Sequence, residues 1–341
     1  MMVVAAALSF LVSAVFSWML SHYRGRYTLL DLPNDRSLHT TATPRVGGLA
    51  ILAGLAGGIA ISGLWGELPG AIWATIALAF VAAVSFADDF WRLPASLRLM
   101  AHLTAALLLV CVAGYQPATV HLLPAWTWTA SAWVIAVFCI FFTAWLVNLY
   151  NFMDGMDGFA GGMAVIGFST LALLGWLGVS PDYAIAALSV AAAAGGFLPF
   201  NFPPARLFMG DVGSGSLGLL VALFLLWAEQ AGLFPLWLGA LVFSPFLVDA
   251  TWTVIRRVTQ GRKPWEAHRE HFYQRLVQTG WSHRRTTLWA YILMIKCSLL
   301  AVLATCFTAS GVQGLLLGWM TAIYLAIIVY VNVRERRLLS K

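Results

Sequence analysis

GAIWATIALAFVAAVSFADDFWRLP, residues 70–94, runs for eighteen residues without a charge and then sets Asp88, Asp89 and Arg92 within five. A membrane span needs roughly 20 predominantly apolar residues, so the first part reads as a span. Two adjacent carboxylates at the lipid and water boundary repel each other and are costly unless a cation neutralises them or one holds a proton. The end of this span therefore reads as part of a site. Arg92 and Arg98, in the following WRLPASLR, are placed to hold an anionic lipid head group. The bland alternative is that Arg92 pairs with one of the aspartates to fix the loop.

The same apolar run recurs along the chain, near 3–20, 46–64, 100–117, 131–148, 160–179, 183–200, 215–231, 234–253, 287–308 and 312–332. With 61% hydrophobic and 10% charged residues, against about a quarter charged in a soluble domain, a soluble enzyme is excluded. The expectation is an all-α polytopic integral membrane protein of about eleven transmembrane helices, one transmembrane domain over 1–341. No basic residue precedes the first run and no small-residue cleavage pattern follows it, so it reads as a retained span.

Alternating the loops between two sides puts 19 of the 20 Lys and Arg residues on one face, in 21–45, 88–99, 201–213, 256–286 and 333–341. By the positive-inside rule that face is cytoplasmic, with the N-terminus periplasmic and the C-terminus cytoplasmic. The exception is Lys296, inside the tenth span. The net charge of +6 follows from this topology and implies no nucleic acid. Cys111, Cys139, Cys297 and Cys306 lie in apolar runs without metal or redox spacing and read as packing residues.

Ten of the fourteen acids fall on the same cytoplasmic side, eight in those segments and Asp154 and Asp157 in the loop before the run at 160–179, several of them in short loops beside glycines. In NLYNFMDGMDGFAGG, residues 148–162, Asn148, Asn151, Asp154 and Asp157 recur every three residues, close enough in angle on a helix to reach one pocket. A lone Asp-Gly pair is usually a turn or a cap. Four such groups at this depth call for a polar cavity. In NFPPARLFMGDVGSGSLG, residues 201–218, Asp211 stands before a Gly and Ser run that opens a helix. Backbone N–H groups there suit phosphate, and a carboxylate beside them suits Mg²⁺ shared with phosphate oxygens. The segment 256–286 carries KPWEAHREHFYQRL, in which His268 and His271 are expected to share a helical face with Arg275 for gripping a diphosphate. Zinc is disfavoured because no further Cys or His ligands accompany the pair.

Taken together, NDRSLHTTATPRVGG, ADD, NLYNFMDGMDGFAGG, FMGDVGS and HREHFYQRL, in order from residue 34 to 276, resemble the polyprenyl-phosphate N-acetylhexosamine-1-phosphate transferases. These bacterial membrane enzymes move a sugar-1-phosphate from a UDP-sugar to undecaprenyl phosphate and release UMP, with the active site at the cytoplasmic face of the inner membrane. The resemblance implies that Asp88 and Asp89 serve catalysis, one of them deprotonating the lipid phosphate, and that Asp211 is the principal Mg²⁺ ligand, with Mn²⁺ as a substitute. It further implies that Asn148, Asn151, Asp154 and Asp157 contact the nucleotide and sugar and that Phe208 stacks on uracil. His268 and His271 would contact the diphosphate or sugar, with Arg45, Arg98 and Arg269 as further substrate contacts. The implied partners are a UDP-N-acetylhexosamine, undecaprenyl phosphate and the bilayer, and a homodimer is compatible.

HREH departs from the H-x-H-H often seen in this family, and resembles the subgroup that starts O-antigen or other surface polysaccharides. Arg45 in TPRVGG, and the lack of lysine near ADD, count against the alternative transfer of phospho-N-acetylmuramoyl-pentapeptide. The sugar stays undecided, with Arg269 and Glu270 the residues expected to read it. A secondary transporter would place its acids at mid-span with symmetry between halves; only Asp249 lies inside a span in that way.

Overall fold

The computed structural model describes residues 1–22, 29–31, 42–64, 70–263, 268–307 and 309–339. Residues 34–41 of the first motif and 264–267 of KPWEAHREHFYQRL lie outside the described residues.

Among the described residues nine helices are long and apolar enough to cross a membrane. They are α1 (Met2–His22), α3 (Ala71–Trp91), α4 (Ala95–Leu107, continued by a π-helical turn to Val112), α5 (Ala132–Phe152), α6 (Phe159–Leu177), α7 (Pro181–Asn201), α8 (Gly210–Gln230), α12 (His283–Cys306) and α13 (Ser310–Leu339). Helix α2 (Gly47–Ser62) is apolar but has only 16 residues. A polytopic membrane protein follows from these lengths and compositions.

The run at 234–253, expected as one span, is broken. Helix α9 (Leu236–Val242) and helix α10 (Ser244–Thr259) meet at 84°. Pro245 sits in the first turn of α10, where its missing N–H and fixed φ start a helix and do not continue one. The corner is tied to the last helices, since Ser244 Oγ lies 2.6 Å from Tyr324 Oη and 3.4 Å from Cys297 Sγ. Cys139 and Cys297 are buried as expected of packing residues, whereas Cys111 and Cys306 are exposed. Two short antiparallel ladders accompany the helices: β1 (Leu30–Asp31) with β2 (Thr43–Pro44), and β3 (Val120–Leu123) with β4 (Trp126–Trp128).

Helix α8 lies at the centre and packs on α2, α3, α5 and α6. Helix α1 joins α2 and α7 through small residues: Ser9, Ser13 and Ser17 are fully buried, and a Cβ added at Gly58 would stand 1.9 Å from Ser9 Oγ. Close backbone approach of this kind replaces the hydrophobic drive that lipid removes. At the far end of α8, Glu229 accepts from His121 N (2.9 Å), from the Leu236 backbone N–H, and faces His121 Nδ1 at 2.6 Å. That clip anchors the β3–β4 hairpin and α9 to the central helix.

Candidate active site

The alternation of helix directions brings the C-terminal ends of α3, α5 and α7 and the N-terminal ends of α2, α4, α6 and α8 to one end of the molecule. Two backbone segments are stitched together there. Phe208 N donates to Pro44 O (2.8 Å), Gly47 N to Phe208 O (2.9 Å) and Gly48 N to Met209 O (2.7 Å). Gly210, at φ +73° with Arg45 O in the space of a Cβ, turns the chain into α8. Arg45 is thereby delivered to Asp211, 166 residues away in sequence.

Arg45 Nη2 lies 2.5 Å from Asp211 Oδ1 and 3.2 Å from Asp89 Oδ1. Burial works against its charge, but Asp211 and Asp89 raise its pKa above the ordinary arginine value. Asp89 Oδ1 also accepts from Asp211 N at 3.4 Å, while Asp89 Oδ2 is buried and has no hydrogen-bond partner. The Asp88 side chain comes within hydrogen-bonding reach of Asp211 from the other side. Its Oδ1 accepts from Leu93 N (2.6 Å) and its Oδ2 from Arg98 Nη1 (3.2 Å). Arg92 closes α3 at φ +50° and is exposed, so Arg98, not Arg92, pairs with the aspartates.

Two cavities meet at this cluster. One, of ≈360 Å³, is polar and lined by Arg45, Asn151, Asp154, Asp157, Phe208 and Asp211, among others. The second, of ≈570 Å³, is lined by Asp88, Arg98, Leu99, His102 and Asn148. Asn151, Phe152 and Asp211 border both. Leu99, 48% exposed, opens the second cavity sideways toward the lipid-facing surface.

The Asn148–Asp157 row, expected to face one pocket, divides between the two. Helix α5 ends at Phe152 and the chain turns, so Asn148 stays with the second cavity while Asp154 and Asp157 reach the first. Asp157 Oδ2 accepts from Ala205 N (3.1 Å) and lies 3.6 Å from His283 Nδ1. Burial, assisted by Asp211, Asp89 and Asp157 and opposed by Arg45, pushes the Asp154 carboxyl well above the ordinary range.

His268 and His271 do not share a helical face with Arg275, and among the described residues neither lines the two cavities. Helix α11 (Phe272–Gln278) begins after them, with His271 as its extended N-cap. Asp249 explains the start: its Oδ1 accepts from Phe272 N (2.9 Å) and lies 3.3 Å from His271 Nδ1. His271 is 2% exposed and stacks on Phe152 behind the shared wall, 6.3 Å between ring centres. Arg275 points away, to Asn332 and Glu335 on α13. Arg269 gives its carbonyl to Gln278 Nε2 (2.9 Å). Glu270, expected to read the sugar, is engaged by Arg257 and Arg262, which hold its pKa below the ordinary value against the effect of burial.

Comparison with known proteins gives the family. The profile of glycosyl transferase family 4 matches residues 71–229, from the start of α3 nearly to the end of α8. The decaprenyl-phosphate N-acetylglucosaminephosphotransferase of Mycobacterium tuberculosis is 30% identical over 76% of this chain and 72% of its own. The chain belongs to glycosyl transferase family 4. Its similarity to other named proteins is of the same kind. The Mycolicibacterium smegmatis decaprenyl-phosphate N-acetylglucosaminephosphotransferase is 28% identical over 89% of this chain and 81% of its own. The Escherichia coli undecaprenyl-phosphate alpha-N-acetylglucosaminyl 1-phosphate transferase is 25% identical over 86% and 80%.

The part of this family 4 protein covered by the profile holds Asp88, Asp89, the Asn148–Asp157 row, Phe208 and Asp211, but not Arg45, His268 or His271. Among the wall residues that escaped the sequence reading are Asn201, Gln274, His283 and His102. Asn201 at least had a signal, a polar residue ending an apolar run before Pro203 and Pro204; it takes Gly158 N (3.0 Å) and gives to Leu207 O (3.0 Å).

Proposed function

We propose that this protein transfers an N-acetylhexosamine-1-phosphate from a UDP-sugar to a polyprenyl phosphate at the cytoplasmic face of a bacterial inner membrane. The observation that carries the reading is the pair of cavities sharing Asp211, Asn151 and Phe152. One is polar and fits a nucleotide sugar. The other joins an arginine and an aspartate to a lipid-facing rim and fits the phosphate of a membrane-held chain. The names of the relatives support a polyprenyl phosphate acceptor and N-acetylglucosamine as the sugar. The charge asymmetry supports the cytoplasmic placement.

In this reading an oxygen of the acceptor phosphate attacks the phosphorus that carries the sugar. The bond from that phosphorus to the bridging oxygen breaks, and UMP leaves with the oxygen. Phosphoryl transfer asks the protein mainly for positioning and charge neutralisation. Arg98 and Asp88 orient the acceptor phosphate, with Asp88 taking its proton. Asp89 holds Arg45 and the start of α8, and Arg45 meets the diphosphate. Asp154, Asp157, Asn151 and Phe208 surround the nucleotide.

The site's donors fit Mg²⁺. Asp88, Asp89, Asp154 and Asp211 outnumber Arg45 and Arg98, and a buried carboxylate oxygen of Asp89 lacks a partner. Mg²⁺ takes one or two carboxylates and completes its shell with substrate phosphates and water. Asp211 would hold it, with Asp88 nearest. When bound, Mg²⁺ neutralises charge on the diphosphate.

The test is UMP release by purified protein in detergent with polyprenyl phosphate, Mg²⁺ and a panel of UDP-N-acetylhexosamines. UMP release that depends on both acceptor and Mg²⁺ is expected. No acceptor-dependent UMP from any donor would remove the proposal.

A further inference from the structure

His102 stands in the second cavity without a role in the scheme above. It projects from α4 one turn after Arg98, is 8% exposed, and its Nδ1 is buried with no hydrogen-bond partner. Leaving a buried polar nitrogen unpaired is destabilising, and a bound ligand that accepts from it removes that cost. The groups that share the cavity with it are Asp88 from α3, Arg98 from its own helix, Asn148 and Asn151 from α5, and Asp211 from α8. The Asn148 side chain is within hydrogen-bonding reach of the His102 ring.

Asn148 is held by its own helix. Its Nδ2 gives a hydrogen to Ala144 O at 2.7 Å. The ring nitrogen left without a partner is Nδ1, and with the ring proton there it needs an acceptor. The side chains bordering the cavity include two carboxylates, but Asp88 already accepts from Leu93 N and Arg98, and Asp211 Oδ1 from Arg45. An incoming anion of tetrahedral oxygens, small enough to sit between Arg98 and His102 and attached to an apolar chain leaving past Leu99, meets every one of these demands.

We propose that His102 binds the acceptor's phosphate, donating Nδ1–H to one of its oxygens while Arg98 holds another. This rests on the transferase reading only for the identity of the acceptor as a polyprenyl phosphate. His102 is then a residue that separates a phosphorylated polyprenol from the free alcohol, and it has no part in binding the nucleotide.

The experiment measures binding of a short-chain polyprenyl phosphate, the matching polyprenol and UMP to the detergent-solubilised full chain by microscale thermophoresis. His102→Leu should weaken polyprenyl phosphate binding roughly 10- to 100-fold, as the loss of a hydrogen bond to a charged group predicts, with polyprenol and UMP changed by less than about twofold. His102→Asn, which keeps an N–H near the Nδ1 position, should recover most of the preference for phosphate over alcohol, and His102→Gln should not. Should His102→Leu prove too unstable to purify, the Asn and Gln variants decide the matter alone. Wild-type binding by the Leu variant, equal loss of UMP and polyprenyl phosphate, equal preference in Asn and Gln, or no preference for phosphate in the wild type would each overturn the proposal. UMP release by the wild type is scored separately. A protein that binds polyprenyl phosphate through His102 but releases no UMP would refute the transferase reading and not this one.

Discussion

At the scale of single residues, the adjacent carboxylates have different surroundings. Neighbours on a helix are about 100° apart, and here that angle sends Asp88 to the cavity with Arg98 and Asp89 to Arg45 and the backbone of Asp211. Asp88→Asn should therefore lower kcat and raise KM for the acceptor while leaving UMP inhibition unchanged. Asp89→Asn should weaken the hold on Arg45 and raise KM for the UDP-sugar as well. Steady-state kinetics varying each substrate in turn checks this, and identical patterns in the two variants would contradict the division. That Asp88, Asp89 and Asp211 would be drawn into partnerships at the span ends was legible in the sequence, because acids there are costly without a partner. Which acid faces the second cavity and which faces Arg45 was not, since it depends on how α3 rotates against α8.

At the scale of elements, the segment from α10 to α11 shows where periodic reasoning stops. His268, His271 and Arg275 have helical spacing, but a helix starts where its first N–H groups find an acceptor, and Asp249, distant in sequence, sets that point at Phe272. The same distance hid the break between α9 and α10, where Pro245 was visible but the corner it makes was not. The histidines of this junction also imply a pH dependence. Burial, with His271 and Arg257 adding to it, lowers the His268 pKa from 6.5 to about 4. Between those values the unfolded chain binds the proton more readily than the folded one, so the contribution to stability is full above pH 6.5 and is lost as pH falls toward 4. Thermal denaturation at a fixed scan rate across that range should show a steeper fall in Tm for the wild type than for His268→Gln. Parallel curves would show that His268 is equally protonatable in both states.

At the scale of the whole molecule, alternating helices bring every chemistry-bearing segment to one end, and 19 of the 20 Lys and Arg residues belong to segments assigned to that end. Arg45, Arg98, Arg206, Arg257 and Arg275 adjoin the same helix ends as Asp88, Asp157 and Asp211, so site and positive charge share a face. This was the most legible feature of the sequence, because hydropathy and charge bias need no knowledge of packing. What hydropathy could not supply was the order of helices around α8, and with it the partition of one acidic cluster into two cavities. The positive-inside rule predicts that the shared face is cytoplasmic, which under the proposed function is also the compartment where a nucleotide sugar would be met. Single cysteines test it directly in whole cells. Cys111 and Cys306 are the exposed native thiols and are replaced first, then buried Cys139 and Cys297. Gln260→Cys, exposed beyond α10, should resist a membrane-impermeant maleimide until the cells are permeabilised, whereas Thr127→Cys, exposed on the β3–β4 hairpin, should label at once. Labelling of Gln260→Cys in intact cells would put the acids, Arg45 and both cavities on the outer face, away from any cytoplasmic nucleotide. The transferase reading would then fail together with the topology, whatever the local geometry of Asp211.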